Sequence, residues 1–264
     1  MMALKSEKEH SGKTPCRVVT AKEIAGCMEG MRDSEQAAVL GRFFKTGKGE
    51  YGENDKFLGL RVPLTRTIVR EARLRVPLPE IEKLLYNEWH EVRLAGFLLL
   101  VEEMRAALPR RNTDTGAERR RMIVDFYLRH TRQANNWDLV DLSCPKIVGL
   151  YLLHAPMGAH KLLERLAQSD NLWEQRIAIV STMPLIKAGD FTDILPLVNA
   201  LSSHSHDLMH KAMGWMLREV GKKDRDVLED FLEKHWHQLP RTTRRYAIER
   251  FPEPDRLYWL KREA

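Results

Sequence analysis

Apolar residues recur at intervals of three and four positions along most of the chain, as in LPEIEKLLYNEWHEVRLAGFLLLVEEM and ILPLVNALSSHSHDLMHKAMGWMLREVG. This spacing places the apolar side chains on one face of a helix. Glycines and prolines fall mostly between these segments, and alternating β-branched runs bounded by Asn-Gly or Asp-Gly turns are absent. The pattern predicts an all-α fold without a sheet.

Several of the helical segments resemble one another. A cation followed by small or apolar residues recurs in HEVRLAGFLLL, WEQRIAIVSTM, LMHKAMGWML and RTTRRYAIERF, which gives the anchors Arg93, Arg176, Lys211 and Arg245. The last three are 35 and 34 residues apart, and the interval of 83 positions from the first to the second leaves room for one more, longer unit. This period predicts a HEAT- or armadillo-like α-solenoid of antiparallel helix pairs with a concave basic groove. An irregular helical bundle is the alternative.

The domain organisation follows from where this rhythm begins and stops. We expect a flexible tail at residues 1–20, a single helical-repeat domain at residues 21–255 and a C-terminal extension at residues 256–264. The glycine-rich segment KTGKGEYGENDKFLGLRVPLTR breaks the rhythm and predicts a loop that enters a helix near Pro63. Nucleotide binding is disfavoured, because neither G-x-x-x-x-G-K-[ST] nor G-x-G-x-x-G occurs.

Composition points to an ordinary soluble protein, expected to be monomeric. The 264 residues are 43% hydrophobic, without an apolar run long enough to span a membrane and without the apolar core of a secretory signal. Three cysteines, Cys16, Cys27 and Cys144, form no C-x-x-C pair, so a reduced, cytoplasmic setting is expected. The net charge of +6 is compatible with nucleic acid and equally with a basic protein that does not bind it.

The segment NNWDLVDLSCPKIVG carries the most unusual chemistry, because its helical pattern includes an indole and two carboxylates. Asn135 is predicted to cap the helix, with Asp138 completing a capping box. Asp141 lies four residues after Trp137 and therefore projects from the same face, one turn further on. Pro145 is predicted to kink or restart the helix. A core indole and a solvated carboxylate are the alternatives for this pair.

Two later segments carry related features. In NLWEQR, a capping box formed by Asn171 and Glu174 is followed by Arg176, for which a surface salt bridge is the alternative. In KAMGWMLRE, Trp215 follows Gly214, and a glycine inside a helix costs roughly 1 kcal/mol unless another element approaches closely.

Taken together, NNWDLVD, NLWEQR and KAMGWMLRE resemble the AlkD-like DNA alkylation repair glycosylases, a family with HEAT-like repeats, and FLGLRVP is similar to a further family region. The resemblance covers residues 24 to 251. It implies that Trp137 and Trp215 flank the lesion-bearing nucleotide, that Asp141 is the catalytic carboxylate and that Arg176 contacts the DNA backbone. It also implies excision of N3- and N7-alkylated purines, such as 3-methyladenine and 7-methylguanine, from duplex DNA without deep base flipping.

Further residues are expected to support this site. Tyr51 is a candidate third aromatic, and Lys211, Arg244 and Arg245 are candidates for contact with the DNA backbone, although some of the basic residues are simply solvated. His204, His206 and His210 in HSHDLMH are interpreted as surface histidines rather than metal ligands, because no H-E-x-x-H and no neighbouring cysteine is present. No cofactor is expected.

Two other functions compete with the glycosylase. A non-catalytic helical-repeat protein would bind damaged or branched DNA without releasing a base, and a protein scaffold would make the tryptophans and aspartates incidental. A carboxylate among DNA-facing residues favours the enzyme, since it would repel phosphates in a pure binder. Because no lysine belongs to the active-site pattern, Schiff-base lyase activity is not expected.

Overall fold

The computed structural model describes residues 19–109 and 115–262, and their regular structure is helical. Within these ranges there is no β-strand, and an isolated bridge joins Lys56 to Trp89. The predicted all-α fold is thereby confirmed. Among the described helices, none has the length and apolar character needed to cross a membrane.

The helices are numbered in chain order. Their bounds are α1 Ala21–Glu29, α2 Ser34–Phe43, α3 Val62–Ala72, α4 Leu78–Leu85, α5 His90–Ala106, α6 Ala117–Arg129, α7 Trp137–Cys144, α8 Leu150–Leu152, α9 Lys161–Ala167, α10 Leu172–Val180, α11 Met183–Ala188, α12 Ile194–Ala200, α13 Asp207–Lys223, α14 Arg225–His235, α15 Arg241–Ala247 and α16 Glu253–Lys261. Short 3₁₀ turns occupy Thr131–Gln133, Met157–His160 and Trp236–Gln238, and a π-helical turn occupies Pro145–Gly149.

The helices form a solenoid in which one row runs through the whole array. Helix α5 packs on α7, α7 on α10, α10 on α13, and α13 on α15. A second set of helices covers this row: α4 and α6 lie against α5, α9 against α10, and α14 against α13. The predicted α-solenoid of HEAT-like type is confirmed. Because consecutive units contribute adjacent helices to one row, residues far apart in sequence meet along it.

Local chemistry fixes where α7 ends. Pro145 has no amide hydrogen to donate to the Asp141 carbonyl, and the chain passes from α7 into the π-helical turn Pro145–Gly149. At the end of this turn the backbone of Gly149 lies so close to the Ser181 carbonyl that a side chain would collide with it. The predicted interruption at Pro145 is confirmed, and it takes the form of a widened helical turn.

The glycine-rich segment between α2 and α3 is held by a buried carboxylate. Glu91 accepts hydrogen bonds of 2.8 to 3.0 Å from the backbone amides of residues 58–60. Gly59 has a φ angle of +94°, and a Cβ atom there would collide with the Asp33 carbonyl. Helix α3 follows with Pro63 in its first turn. The predicted loop and helix start near Pro63 are confirmed.

The two ends of the chain bear on the predicted domain limits. Of the expected tail at residues 1–20, residues 1–18 lie outside the described part of the structure, and Thr20 is the N-cap of α1. Helix α16 runs across the boundary expected between residues 255 and 256, where the C-terminal extension was to begin. Its Trp259 is buried against Trp236, with ring centroids 5.0 Å apart.

Candidate active site

One pocket gathers side chains from the loop before α3 and from α2, α7, α10, α13 and α15. Its volume is about 360 Å³. It is lined by Phe43, Tyr51, Trp137, Asp141, Arg176, Leu208, Lys211, Trp215, Arg218 and Tyr246. Six of these are residues predicted from the sequence, so residues between positions 51 and 215 converge on one place. Arg244 and Arg245 do not line the pocket.

The centre of the pocket is an ion pair between Asp141 and Arg176. The Nε and Nη2 atoms of Arg176 donate to the two carboxylate oxygens of Asp141 at 2.9 and 2.8 Å. Its Nη1 atom donates to the Leu208 carbonyl at 2.5 Å. Only 6% of the Arg176 side chain and 14% of the Asp141 side chain are exposed. This fork-shaped arrangement fixes the orientation of the carboxylate.

The pocket also changes the acidity of Asp141. Burial raises the pKa of its carboxyl group above the usual value, and the nearby charge of Asp138 adds to the rise. The guanidinium of Arg176 favours the anion and offsets only part of this effect. Any activity that needs the Asp141 anion is therefore expected to fall as the pH drops through a pKa above the ordinary aspartate range.

Trp137 is the first residue of α7, and its indole ring packs against other aromatic rings. Its ring lies 5.4 Å from that of Phe44, at an interplanar angle of 27°, and the edge of Phe43 approaches it at 5.9 Å. Trp137 is half-buried, whereas Phe43 is 61% exposed at the rim of the pocket. One face of the indole is thus packed, and its pocket side remains open to a ligand.

Trp215 reaches the pocket because α13 and α15 lie unusually close together. A Cβ atom on Gly214 would lie 2.5 Å from the Cβ atom of Tyr246 and 2.7 Å from the Thr243 carbonyl oxygen. This close approach accounts for a glycine inside the helix. Both Trp215 and Tyr246 then face the same pocket, although Tyr246 was not predicted from the sequence.

Tyr51 extends from the glycine-rich loop to the same pocket. Its ring lies edge-on to Trp173 at 6.3 Å and to His206 at 6.4 Å, and the Lys45 ammonium group lies 6.0 Å from its centroid. The loop is therefore fixed against α10 and the start of α13. This placement makes Tyr51 available to the pocket as a third aromatic.

The prediction for the start of α7 was wrong by one residue. The N-cap is Asn136, whose side chain accepts a hydrogen bond from the Trp137 amide at 2.8 Å, while the Asn135 side chain accepts one from Arg93 at 3.2 Å. Asp138 does not complete a capping box. Its Oδ1 atom accepts from the following amide, and its Oδ2 atom lies 2.9 Å from the Nε2 atom of His90.

This contact belongs to a buried network that sequence patterns did not indicate. The Nδ1 atom of His90 lies 2.7 Å from Asp55, and Arg93 also binds Asp55. Burial alone would lower the pKa of His90, but the two carboxylates outweigh it and raise the pKa to about 9. Asp55 and His90 are 35 residues apart on a loop and a helix, so no helical spacing links them.

The remaining basic residues differ in their surroundings. Lys211 lines the pocket and pairs with Asp207 at 2.8 Å. Arg244 is half-buried with its guanidinium over the Trp236 ring. Arg245 is exposed and faces a separate cleft between α15 and α16. Of the four residues expected to contact the DNA backbone, only Arg176 and Lys211 lie at the pocket.

A cluster of cations between α3 and α5 was not predicted. A cleft of about 160 Å³ is lined by Arg66, Arg70, Arg73, Arg105 and Glu102, with Glu102 bound to Arg105 at 2.6 Å. Burial, followed by the charges of Arg66 and Arg105, lowers the pKa of the nearby Lys146. This excess of positive charge suits an anionic partner.

A second, mainly apolar pocket of about 430 Å³ adjoins the first. The two share Phe43, Trp137 and Asp141, and the second extends towards His90 and Asp138. Asp141 therefore borders apolar surroundings, in which charges interact more strongly than in water.

The three histidines around the start of α13 have structural contacts. His206 caps the helix by accepting from the Leu208 amide at 3.1 Å, and His204 lies 2.8 Å from the Gln175 side-chain oxygen. His210 contacts the His204 carbonyl. In the described residues, no group of three or more histidine, cysteine or acidic side chains has an arrangement suited to a metal ion.

A family model and a solved structure show what this chain resembles. The family model described as DNA alkylation repair enzyme matches residues 26–251. A solved structure described as a predicted DNA alkylation repair enzyme from Enterococcus faecalis superposes with a TM-score of 0.63 at 16% sequence identity, covering 84% of this chain and 97% of that one. At this identity the likeness concerns the fold. No curated protein matches the chain.

Proposed function

Because this chain belongs to the DNA alkylation repair enzyme family, we propose that it is a monofunctional DNA glycosylase. Its substrate would be duplex DNA containing N3- or N7-alkylated purines, and the enzyme would act as a monomer without a cofactor. The observation that carries this proposal is the convergence of Trp137, Asp141 and Trp215 on one pocket. Two indoles and a carboxylate in one pocket match the charge of the expected reaction.

The chemistry follows from the lesion. Alkylation at N3 or N7 gives the purine a positive charge and weakens its glycosidic bond, so departure of the base leaves oxocarbenium character on the deoxyribose. A carboxylate fixed beside that sugar stabilises the developing cation and orients or deprotonates the attacking water. Asp141 is the candidate for both tasks. The alkylated base leaves without protonation, so a second carboxylic acid is not needed.

The aromatic side chains suit a cationic nucleotide. Indole faces attract cations by about 0.5 to 2 kcal/mol, depending on how far the pair is desolvated. Trp137 and Trp215 border the pocket from α7 and α13, and Tyr51 borders it from the loop. Contacts of this kind bind the sugar and base without a deep cavity for an extruded purine, in keeping with excision that does not require deep base flipping.

Arg176 has a second role in this proposal. It holds both oxygens of Asp141 and so presents the carboxylate in one orientation. Three of its five N–H groups are used in the hydrogen bonds described above, which leaves two for a phosphate that enters the pocket. The backbone contact expected from the sequence is compatible with the ion pair.

Lyase activity through a Schiff base is not proposed. Lys211 lines the pocket, but its hydrogen bond with Asp207 raises the pKa of its ammonium group. A lysine nucleophile requires the neutral amine, which a raised pKa disfavours. The expected product is an abasic site with an intact strand.

Single-turnover release of 7-methylguanine from a duplex tests the function. Asp141→Asn is expected to lower the rate by about 10² to 10³, since it removes charge stabilisation from the transition state. Asp125→Asn, which alters an exposed carboxylate on α6, is the matched control and should act like the wild type. An unchanged rate for Asp141→Asn would refute the role of this residue. Salt-sensitive binding without any base release by the wild type would favour the non-catalytic DNA-binding protein.

A further inference from the structure

Beneath Trp137 lies a buried histidine whose two ring nitrogens both face carboxylates. The His90 side chain is 2% exposed, and Asp55 and Asp138 lie 2.7 and 2.9 Å from Nδ1 and Nε2. An ionised carboxylate only accepts hydrogen bonds, and a neutral imidazole donates only one. The geometry therefore requires the doubly protonated ring, with one N–H donated to each acid.

The same ring lies in the aromatic stack that carries Trp137. His90 stacks on Phe57 at 4.5 Å and lies 5.1 Å from Phe44, and Phe44 in turn stacks on Trp137. A cation against aromatic faces is favourable. His90 is thus tied to α7 twice, through Asp138 in its first turn and through the rings behind Trp137.

We propose that His90 is a positioning residue of this site. Its doubly protonated ring connects the loop carrying Asp55 to the first turn of α7 and thereby fixes the positions of Trp137 and Asp141. Loss of one ring proton leaves a nitrogen lone pair against a carboxylate, so the tie on one side opens. This inference rests on the proposed glycosylase function. It adds a pH-dependent element that sits behind the pocket and does not touch the substrate.

The charged surroundings of the ring are defined on each side. Asp55 faces it from the loop and Asp138 from α7, while on α5 itself Arg93 reaches it through Asp55 and Glu91 is turned towards the backbone amides of the loop. On the pocket side, Tyr51, Lys211 and Tyr246 are further polar side chains of the lining.

Asp138→Asn is the informative variant, because it leaves those three groups in place. An asparagine amide oxygen at position 138 still accepts the Leu139 amide, and its NH₂ group donates to Nε2 of a neutral His90. The network is then satisfied without the second ring proton. The matched control is Glu82→Gln, which changes the carboxylate partner of a different buried histidine, His130, at 2.9 Å.

The experiment measures single-turnover base release between pH 6 and pH 10, with release and ring opening in enzyme-free DNA subtracted. The wild type and Glu82→Gln should be about tenfold slower at pH 10 than at pH 7, because His90 deprotonates near pH 9. Asp138→Asn should match the wild type at pH 7 and lack this fall. A wild type without the fall, an Asp138→Asn profile that keeps it, or a folded Asp138→Asn protein inactive at pH 7 would overturn the role.

Nitrogen-15 NMR of the wild-type histidines separates this inference from the proposed function, since it needs no substrate. Both His90 nitrogens should carry protons at pH 8, and a neutral tautomer there would overturn the inference. If Asp138→Asn does not fold, the NMR spectrum of the wild type still tests whether His90 is doubly protonated. A wild type that releases no base would refute the proposed function. The NMR measurement would still show whether the His90 ring is doubly protonated, as the inference requires.

Discussion

Asp141 and Arg176 depend on each other more than two surface charges would. Both side chains are largely buried, and each supplies the other's principal charged partner. Removing one member of a buried pair leaves the other charge without compensation, whereas replacing both by apolar groups is often tolerated. The pair is therefore a stability element as well as a candidate catalytic one.

Arg176→Ala is expected to lower the free energy of unfolding by about 3 to 5 kcal/mol, because it leaves the Asp141 charge buried alone. Urea denaturation at pH 7 measures this change. Arg121→Ala is the control: Arg121 is exposed and 3.9 Å from Asp125, and its loss should cost less than about 0.5 kcal/mol. Equal effects of the two substitutions would contradict the coupling described for Asp141 and Arg176.

His90 gives stability a pH dependence of known sign. Its pKa rises from 6.5 to about 9 on folding, so the folded chain holds this proton more tightly than the unfolded chain does. The contribution is fully present below pH 6.5 and is lost as the pH rises through 9. We expect the free energy of unfolding to fall by about 3 kcal/mol across this window, and much less in Asp138→Asn. Denaturation curves at several pH values test this, and a flat profile for the wild type would contradict it.

At the scale of the helices, the distance between α13 and α15 decides where Trp215 stands. Gly214 faces Thr243 and Tyr246 across a gap too small for a methyl group. The two helices are thus held in backbone contact, and both the indole and the phenol reach the pocket from them. A single added carbon would have to push the helices apart.

Gly214→Ala is expected to destabilise the fold by about 1 to 3 kcal/mol through overpacking and to lower the rate of base release. The matched control is Gly26→Ala in α1, where the added methyl group meets no atom within 4 Å apart from its chain neighbours and the backbone of its own helix. That change should stabilise the helix by about 1 kcal/mol, since alanine is the better helix former. Thermal unfolding and tryptophan fluorescence measure both. Similar effects of the two substitutions would show that the helices separate easily.

The helix starts show how much of a helix boundary the local sequence determines. Asn171 caps α10 as predicted, because its side chain accepts from the amides of Trp173 and Glu174, yet Glu174 itself turns to Thr131 and Ser169 rather than closing a capping box. At α7, Asn135 and Asn136 are equally suited to capping. Long-range contacts decided between them, since Arg93 binds Asn135. Capping preferences predict that a helix begins, and tertiary partners select the residue.

At the scale of the whole molecule, the pocket is formed by side chains that come from neighbouring helices of one row. Trp137, Asp141, Arg176 and Trp215 were predictable because each belongs to a short motif on a helix of that row. Arg245 shows the limit of repeat spacing: it lies 34 residues after Lys211, but the next residue, Tyr246, is the one that lines the pocket. A helix turns by about 100° per residue, so an error of one position changes the face.

The arginine cleft between α3 and α5 lies outside the pocket, and its contribution to the DNA footprint, the surface that contacts the duplex, can be tested. The double variant Arg66→Glu/Arg70→Glu should weaken duplex binding and reduce the slope of log affinity against log salt by about 2, if each arginine neutralises one phosphate. Arg121→Glu/Arg129→Glu, on the exposed side of α6, is the control with the same change in net charge. Binding titrations from low to high salt measure the slope. Equal slopes for the two variants would place the cleft outside the footprint.

The pairing of Asp141 with Arg176 also bears on the ions that travel with DNA. Lys211 and Arg218 at the same pocket are paired as well, with Asp207 and Glu249. A bare carboxylate beside a duplex would collect magnesium ions and polyamines and would push phosphates away. Under the proposed function, a pocket whose charges cancel pairwise would do neither. It would discriminate by position rather than by attraction at a distance, because only a cation that forms next to Asp141 would meet the negative charge.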